Sequence, residues 1–286
     1  YEQPKVPLKM SKEIMKGGAA ILRNQFICPF NSFAIHRLGA KPIDPPHQGI
    51  NQRQRGILIH EVLFKLWNQW KSSDKLNQLT DRELALEINE SIDLTFSSND
   101  RSMLYLRGSR YRKLEKLLIN RLITAWLRKE KSREPFEVLE LEQSYTVKFG
   151  ELSLQLIVDR LDLVGGKRLI IDYKTGALKT SGWDPEELKE PQLPLYVVAC
   201  HPNPNGFAFA HLSPDAIRLV GESDGLLSPD LSEVEEWHAR ILDWKAALEK
   251  LAYSFSSGDC NTSVNDLAAF KQQYFLLPLN RFTETL

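Results

Sequence analysis

Val158-Asp159-Arg160-Leu161-Asp162, followed after Gly165-Gly166 by Leu169-Ile170-Ile171-Asp172-Tyr173-Lys174-Thr175-Gly176, is the stretch on which the fold of this chain turns. Asp159 and Asp172 each close an apolar run where exposure begins. The paired glycines make a tight turn, so the two runs read as adjacent antiparallel strands. Counting back from that turn brings both aspartates toward the same end of the pair. Two carboxylates held there form a hard oxygen site suited to Mg²⁺ or Mn²⁺. Lys174 lies two residues after Asp172, and alternation on a strand puts both on one face. Metal, acids and ammonium together suit phosphodiester hydrolysis. A buried structural ion pair also accounts for Asp172 and Lys174, but not for a second acid at the neighbouring strand end.

Upstream of these strands, Phe136–Phe149 and Leu152–Val164 read as a hairpin around Gly150. Before it the pattern is helical. Residues 11–38 form a helix broken near Gln25–Pro29, and Lys41–Gly49 is a loop with three prolines. Arg53–Trp70 is a strong helix with Ile57, His60, Leu63, Phe64 and Trp67 as its stripe. Asp81–Leu94 and Ser109–Lys131 follow, the latter with Leu114, Leu117, Leu118, Leu122 and Ile123 as its stripe. Downstream come a polar loop over Gly176–Asp184, a helix over Pro191–Cys200, and strands at Phe207–His211 and Ile217–Val220. A helix over Ser232–Ser254 then carries Trp237, Ile241, Trp244 and Leu248. This order predicts an α/β core with a mixed central sheet flanked by helices, plus an added N-terminal helical lobe. The expected division is one domain in three parts: 1–135, mainly helical and carrying His60; 136–221, the α/β core; and 222–286, a C-terminal helix and tail.

The 286 residues carry 37 basic and 37 acidic side chains, so net charge excludes a uniformly basic nucleic-acid binder. Its distribution is uneven. Arg107 to Arg133 holds ten Lys/Arg, Arg110 and Lys113 among them, against two acids. That stretch is either a phosphate-attracting face or an ordinary solvated helix surface. No apolar run is long enough to span a bilayer. Three scattered cysteines, with no Cys-x-x-Cys pair, fit a reducing intracellular setting. We therefore expect a cytoplasmic, nucleoid-associated protein with no membrane partner. The start at Tyr1-Glu2-Gln3-Pro4 suggests the C-terminal part of a longer protein. There is no Gly-x-x-x-x-Gly-Lys-Ser/Thr phosphate loop, hence no helicase motor within the sequence.

Further candidates are His60, one turn after the helix-interior Gly56, and Gln192 with Tyr196, four apart on one helical face. A helix-interior glycine costs roughly 1 kcal/mol against alanine, which suggests close approach of another segment. A histidine packed in the core and an ordinary amphipathic helix are the competing readings. Pro194 is tolerable only if its helix begins near Pro191.

Taken in order, Arg55-Gly56-x-x-x-His60, Asp159-Arg160-x-Asp162, Asp172-Tyr173-Lys174-Thr175-Gly176 and Gln192-x-x-x-Tyr196 resemble the RecB-like branch of the PD-(D/E)XK nuclease superfamily, which includes the nuclease domains of RecB and AddB. The resemblance spans roughly residues 20–215. It implies a restriction-endonuclease-like core and a Mg²⁺- or Mn²⁺-dependent deoxyribonuclease, an exonuclease, working in DNA repair or recombination on single- or double-stranded DNA. A helicase module in the same or a partner chain would accompany it. By the same resemblance, His60, Asp159, Asp172 and the main-chain carbonyl of Tyr173 bind metal and Lys174 is catalytic. Gln192 and Tyr196 line the site, contacting DNA or ordering water. Arg55 and Arg160 neutralise phosphate or brace the acids, while Asp162 is a structural partner.

Two features depart from the pattern. Leu156 stands where relatives carry a glycine. Some AddB-like relatives hold an iron–sulfur cluster through four cysteines, and Cys28-Pro29-Phe30 resembles the first. Only Cys260 follows the core, so no cluster is expected and Cys28 reads as a small buried residue. The rival functional readings are a catalytically silent module that binds DNA or a partner, and an enzyme acting on RNA or free nucleotides.

Overall fold

Alternating and apolar runs between residues 136 and 233 pair into one mixed six-stranded sheet of order β1-β2-β3-β4-β5-β6. Its strands are β1 Phe136–Phe149, β2 Leu152–Val164, β3 Lys167–Lys174, β4 Gly206–Leu212, β5 Ile217–Ser223 and β6 Leu231–Glu233. The computed structural model describes residues 14–15, 17–43, 49–99, 110–178, 181–225 and 227–280. The first residues of the helix expected over 11–38, part of the Lys41–Gly49 loop, Arg107 and the last six residues lie outside these. β3–β4 and β5–β6 are parallel, and the other neighbours antiparallel.

Helices cover both faces of the sheet. On one side α3 Gln52–Trp70, α4 Ser73–Gln78, α5 Asp81–Ser98 and α6 Arg110–Glu130 pack on Leu169, Ile171, Tyr173, Ala208 and Ala210. On the other, α1 Ala19–Ile27, α7 Gln192–Ala199 and α8 Trp237–Ser256 pack on Leu161, Ile170, Phe207 and Phe209. A third apolar cluster joins Ile27 and Cys28, at the boundary of α1 and α2 Pro29–His36, to Ala269 and Phe270 on α9 Leu267–Gln272. Among the described residues no helix is long and apolar enough to cross a membrane.

The double cover explains β2. Leu152 to Ile157 alternates between buried and open positions, whereas Val158 to Asp162 are all buried. The aspartates therefore lie deeper than the strand ends where the sequence puts them. The hairpins form as read, with Gly165 and Gly166 both at positive φ (54° and 82°).

Several boundaries and faces differ from expectation. α8 begins at Trp237 rather than Ser232, because Leu231–Glu233 instead adds a short strand that covers the edge of β5. α4 and α9 are too short to give a periodic signal. On α3, Leu58, Ile59, Val62, Leu63, Leu66, Trp67 and Trp70 go inward and Ile57 stays 55% exposed. The helix is apolar on more than one side, and the wider arc takes the core. Packing of α6 likewise runs through Ile119, Leu122, Ile123, Trp126 and Leu127, leaving Leu114 and Leu117 exposed. The start of α3 is set by a reciprocal cap in which Asn51 and Gln54 each accept the other's backbone N–H.

Candidate active site

The row of acids on the sheet is wider than the two aspartates. Pairs Leu141↔Arg160 and Gln143↔Val158 leave Glu142 of β1 beside Asp159 of β2. Continuing Arg160↔Ile171 by one residue brings Asp172 of β3 opposite Asp159. Glu142, Asp159 and Asp172 thus cross three strands in line. Glu142 has φ 48°, a left-handed conformation rare for a residue with a side chain, next to a register shift between Val138 and Glu140. Such strain is held where surrounding structure imposes it, often at functional sites.

His60 of α3 closes over this row. Its Nδ1 is 3.3 Å from Asp159 Oδ2 and its Nε2 is 2.8 Å from the Tyr173 carbonyl oxygen. The same Asp159 oxygen accepts the Tyr173 backbone N–H at 2.8 Å. Ligand atoms of His60, Glu142 and Asp159 all lie within 4.8 Å of one another. On the other side of Asp159, Lys174 Nζ is 2.7 Å from Asp172 Oδ2 and donates to Gln192 Oε1 at 2.8 Å. Gln192 Nε2 is shared between Asp172 Oδ1 at 2.7 Å and the Tyr196 hydroxyl at 2.9 Å. α7 starts at Gln192, so Pro194 falls in its first turn and leaves Gln192 and Tyr196 on one face.

The electrostatics follow from crowding acids in a dry place. Burial and the neighbouring Asp159 push the Asp172 carboxyl up to about 6, despite Lys174. Burial, Asp159 and Asp172 raise Glu142 as well. Burial alone would lower His60, but Asp159, Asp172 and the Tyr173 carbonyl outweigh it and lift the imidazole to about 9. Both ring nitrogens face oxygen acceptors, an arrangement that favours positive charge at this position. Asp172 is only 2% exposed, with Oδ2 against the Lys174 ammonium and Oδ1 accepting from the Gln192 amide. The clustered His60, Glu142 and Asp159, with the Asp172 carboxylate and the Tyr173 carbonyl beside them, are a donor set that fits a divalent cation. Burial and the nearby Asp172 raise the Tyr196 hydroxyl, which stays protonated as a fixed donor or acceptor.

Gly56 sits where α3 meets the loop after β3. A Cβ there would be 3.0 Å from Thr175 Oγ1, so the approach inferred from that glycine is real, though to a side chain. Gln52 Nε2 donates to the Thr175 carbonyl, and the Gly176 carbonyl lies 2.8 Å from His211 Nε2 on β4. This pins the loop that follows Lys174. Two grooves meet at Lys174. One, of about 560 Å³, is walled by Gly56, Ile57, His60, Phe64 and Glu142, and the other, of about 690 Å³, by Arg23, Gln192, Tyr196 and Phe209.

The arginines are placed differently from a phosphate contact. Arg160 is 0% exposed, and its guanidinium donates to Asp162, Glu130 and the Tyr173 hydroxyl while lying 4.0 Å over Trp67. No polymer reaches it, so its expected contact with DNA gives way to the bracing role, because a guanidinium taken from water needs carboxylate partners. Arg55 is held by a bidentate pair with Glu115 of α6 at 2.7 and 2.8 Å. Arg110 and Lys113 are exposed in the first turn of α6.

Glu142 and His211 are the site residues that sequence reading missed. Glu142 had a signal: the count from the Gly150 turn that defines the first hairpin sets it across from Asp159. His211 had none, since only the parallel pairing of β4 with β3 brings it beside Lys174.

A mixed sheet carrying an acid row and a lysine at the meeting point of two open grooves is the layout of a nuclease. The chain belongs to the PD-(D/E)XK nuclease superfamily, whose family model matches residues 24–262. Nucleases of this superfamily use divalent metals, in line with the acidic cluster. No curated protein sequence matches the chain. Among solved structures it is similar to a candidate exonuclease from Eubacterium rectale, at 13% identity and TM-score 0.43 over 88% of this chain and 86% of that one. It is also similar to the protein SSO0001, at 12% identity and TM-score 0.31 over 91% and 92%.

Proposed function

We infer that the chain is a metal-dependent deoxyribonuclease of the RecB-like kind, cutting phosphodiester bonds at the row formed by Asp159, Asp172 and Lys174. The observation that carries this reading is Asp172: a buried carboxylate opposite a second one, Asp159, with the Lys174 ammonium 2.7 Å away. A purely structural ion pair has no use for a second buried acid, Asp159, opposite it on the neighbouring strand.

His60, Glu142, Asp159, Asp172 and the Tyr173 carbonyl would hold Mg²⁺ or Mn²⁺. When bound, such an ion supplies positive charge at the phosphate and a more acidic attacking water. Lys174 places its own charge where negative charge accumulates on the phosphate as the leaving bond lengthens. Gln192 keeps that ammonium beside Asp172 and uses its amide to hold the carboxylate, while Tyr196 holds Gln192. The Arg160 network fixes Tyr173 from beneath, so its N–H stays on Asp159 and its carbonyl beside His60. Exonucleolytic action, a role in repair or recombination, an intracellular setting and a companion helicase module rest on the resemblance of the ordered motifs to RecB and AddB.

The test is cleavage of linear single- and double-stranded DNA by the purified chain with Mg²⁺, with Mn²⁺ and with EDTA. We expect cleavage only with metal. Binding of DNA without cleavage under either metal would instead favour a silent nuclease-like module.

A further inference from the structure

The groove on the α3 side has an apolar wall with no part in the chemistry described so far. Ile57 and Phe64 stand one turn before and one turn after His60 on the face of α3 that lines it. Ile57 is 55% exposed, on a helix that buries seven other apolar side chains. Phe64 is half-buried. Neighbouring core aromatics pair edge to face, as Trp67 does with Trp70 and Trp126 with Tyr173, yet among the described residues Phe64 pairs with no other ring. Glu142, Tyr173 and Lys174 line the same groove, so an occupant of it adjoins whatever phosphate the acids and lysine engage. Its volume of about 560 Å³ accommodates a nucleotide.

Resting on the nuclease reading, we propose that Ile57 and Phe64 form a subsite for one unstacked nucleobase adjacent to the scissile phosphate of single-stranded DNA. Apolar side chains recognise the flat face of a base and not its hydrogen-bonding edge, so the subsite accepts any base. In a duplex both faces are covered by neighbouring base pairs. A base enters only from a single strand or a frayed end. Roughly 10 Å of helix separates Ile57 from Phe64, with His60 between them, which places the base beside the metal-binding row and not beyond it.

The probe is a fluorescein-labelled oligothymidylate carrying one abasic residue moved along the strand, bound to the Lys174→Ala chain with Mg²⁺ and followed by anisotropy. One position is expected to lose about tenfold in affinity when its base is removed, the magnitude of a single base stack. In the Ile57→Ala and Phe64→Ala backgrounds the same abasic change is expected to cost less than twofold. Ile57 is exposed, so its variant folds even if Phe64→Ala loosens α3. A flat abasic scan, or an equal loss in parent and Ile57→Ala chains, would overturn the proposal. Because the readout is binding, it is separate from the cleavage assay: a chain that never cuts DNA but shows the position-specific loss refutes the nuclease reading and keeps the subsite.

Discussion

Asp159 and Asp172 stand opposite each other on adjacent antiparallel strands, in the register set by Arg160↔Ile171, and Tyr173 N–H is bonded at 2.8 Å to Asp159. The backbone of one strand thus locks the carboxylate of the other. Moving the register by one residue would turn one aspartate to the far face of the sheet, so the Gly165-Gly166 turn positions the chemistry as well as the strands.

Asp159→Ala and Lys174→Ala are each expected to lower kcat/KM on linear DNA at least about a thousandfold, since charge stabilisation at the phosphate is the largest contribution to such reactions. Thermal melting should stay within a few degrees of the parent. A variant that cleaves like the parent removes that residue from the chemistry.

Glu142→Gln and His60→Ala should weaken Mn²⁺ binding by roughly tenfold or more, because each removes a donor from a site of few ligands. Isothermal calorimetry reads this directly. Unchanged affinity in His60→Ala would return the histidine to a packing role, and in Glu142→Gln it would leave the left-handed backbone there without a functional account.

The metal-free chain should lose stability as the medium becomes more alkaline. His60 is lifted from 6.5 to about 9. A raised folded-state value means the proton is held more tightly in the folded form. Its stabilisation is fully present below 6.5 and disappears as pH climbs through about 9. Melting in EDTA from pH 6 to 9.5 should show a fall on the order of 5 °C, absent in His60→Gln. A rise over that range would contradict the upward shift of His60.

Arg160→Met should destabilise by about 3–5 kcal/mol, because it leaves Glu130 and Asp162, both fully buried, without their central partner. Arg133, which also pairs with both acids, offsets part of this. Denaturant titration measures it. A loss below 1 kcal/mol would show that the cluster is replaceable by apolar packing.

Arg110→Ala and Lys113→Ala should weaken DNA binding without changing melting. If both meet phosphate, each reduces the slope of log affinity against log salt by about one. An unaltered slope assigns the basic start of α6 to a solvated surface.

Most of the secondary structure was legible because period and punctuation agree. Both hairpins, the break between α1 and α2, and α7 starting just after Pro191 follow from alternation, glycine turns and proline geometry, all local properties. The faces of α3 and α6 were not legible. Ile57, Leu114 and Leu117 fit a helical stripe as well as their neighbours do, and only competition for space against the sheet leaves them outside.

The amino-acid sequence alone determined the strand pair, the shared face of Asp172 and Lys174, and the order of motifs that marks the nuclease superfamily, since these depend on spacing along a strand or a turn. Tertiary structure alone decided that Arg160 is buried beneath Tyr173 rather than facing a phosphate, and that His211 stands beside Lys174. It also brought Ile57 and Phe64 to line a groove with the acids. Each joins segments tens of residues apart, and such contacts depend on which surfaces exclude water from one another, a property of the packed whole that no local pattern encodes.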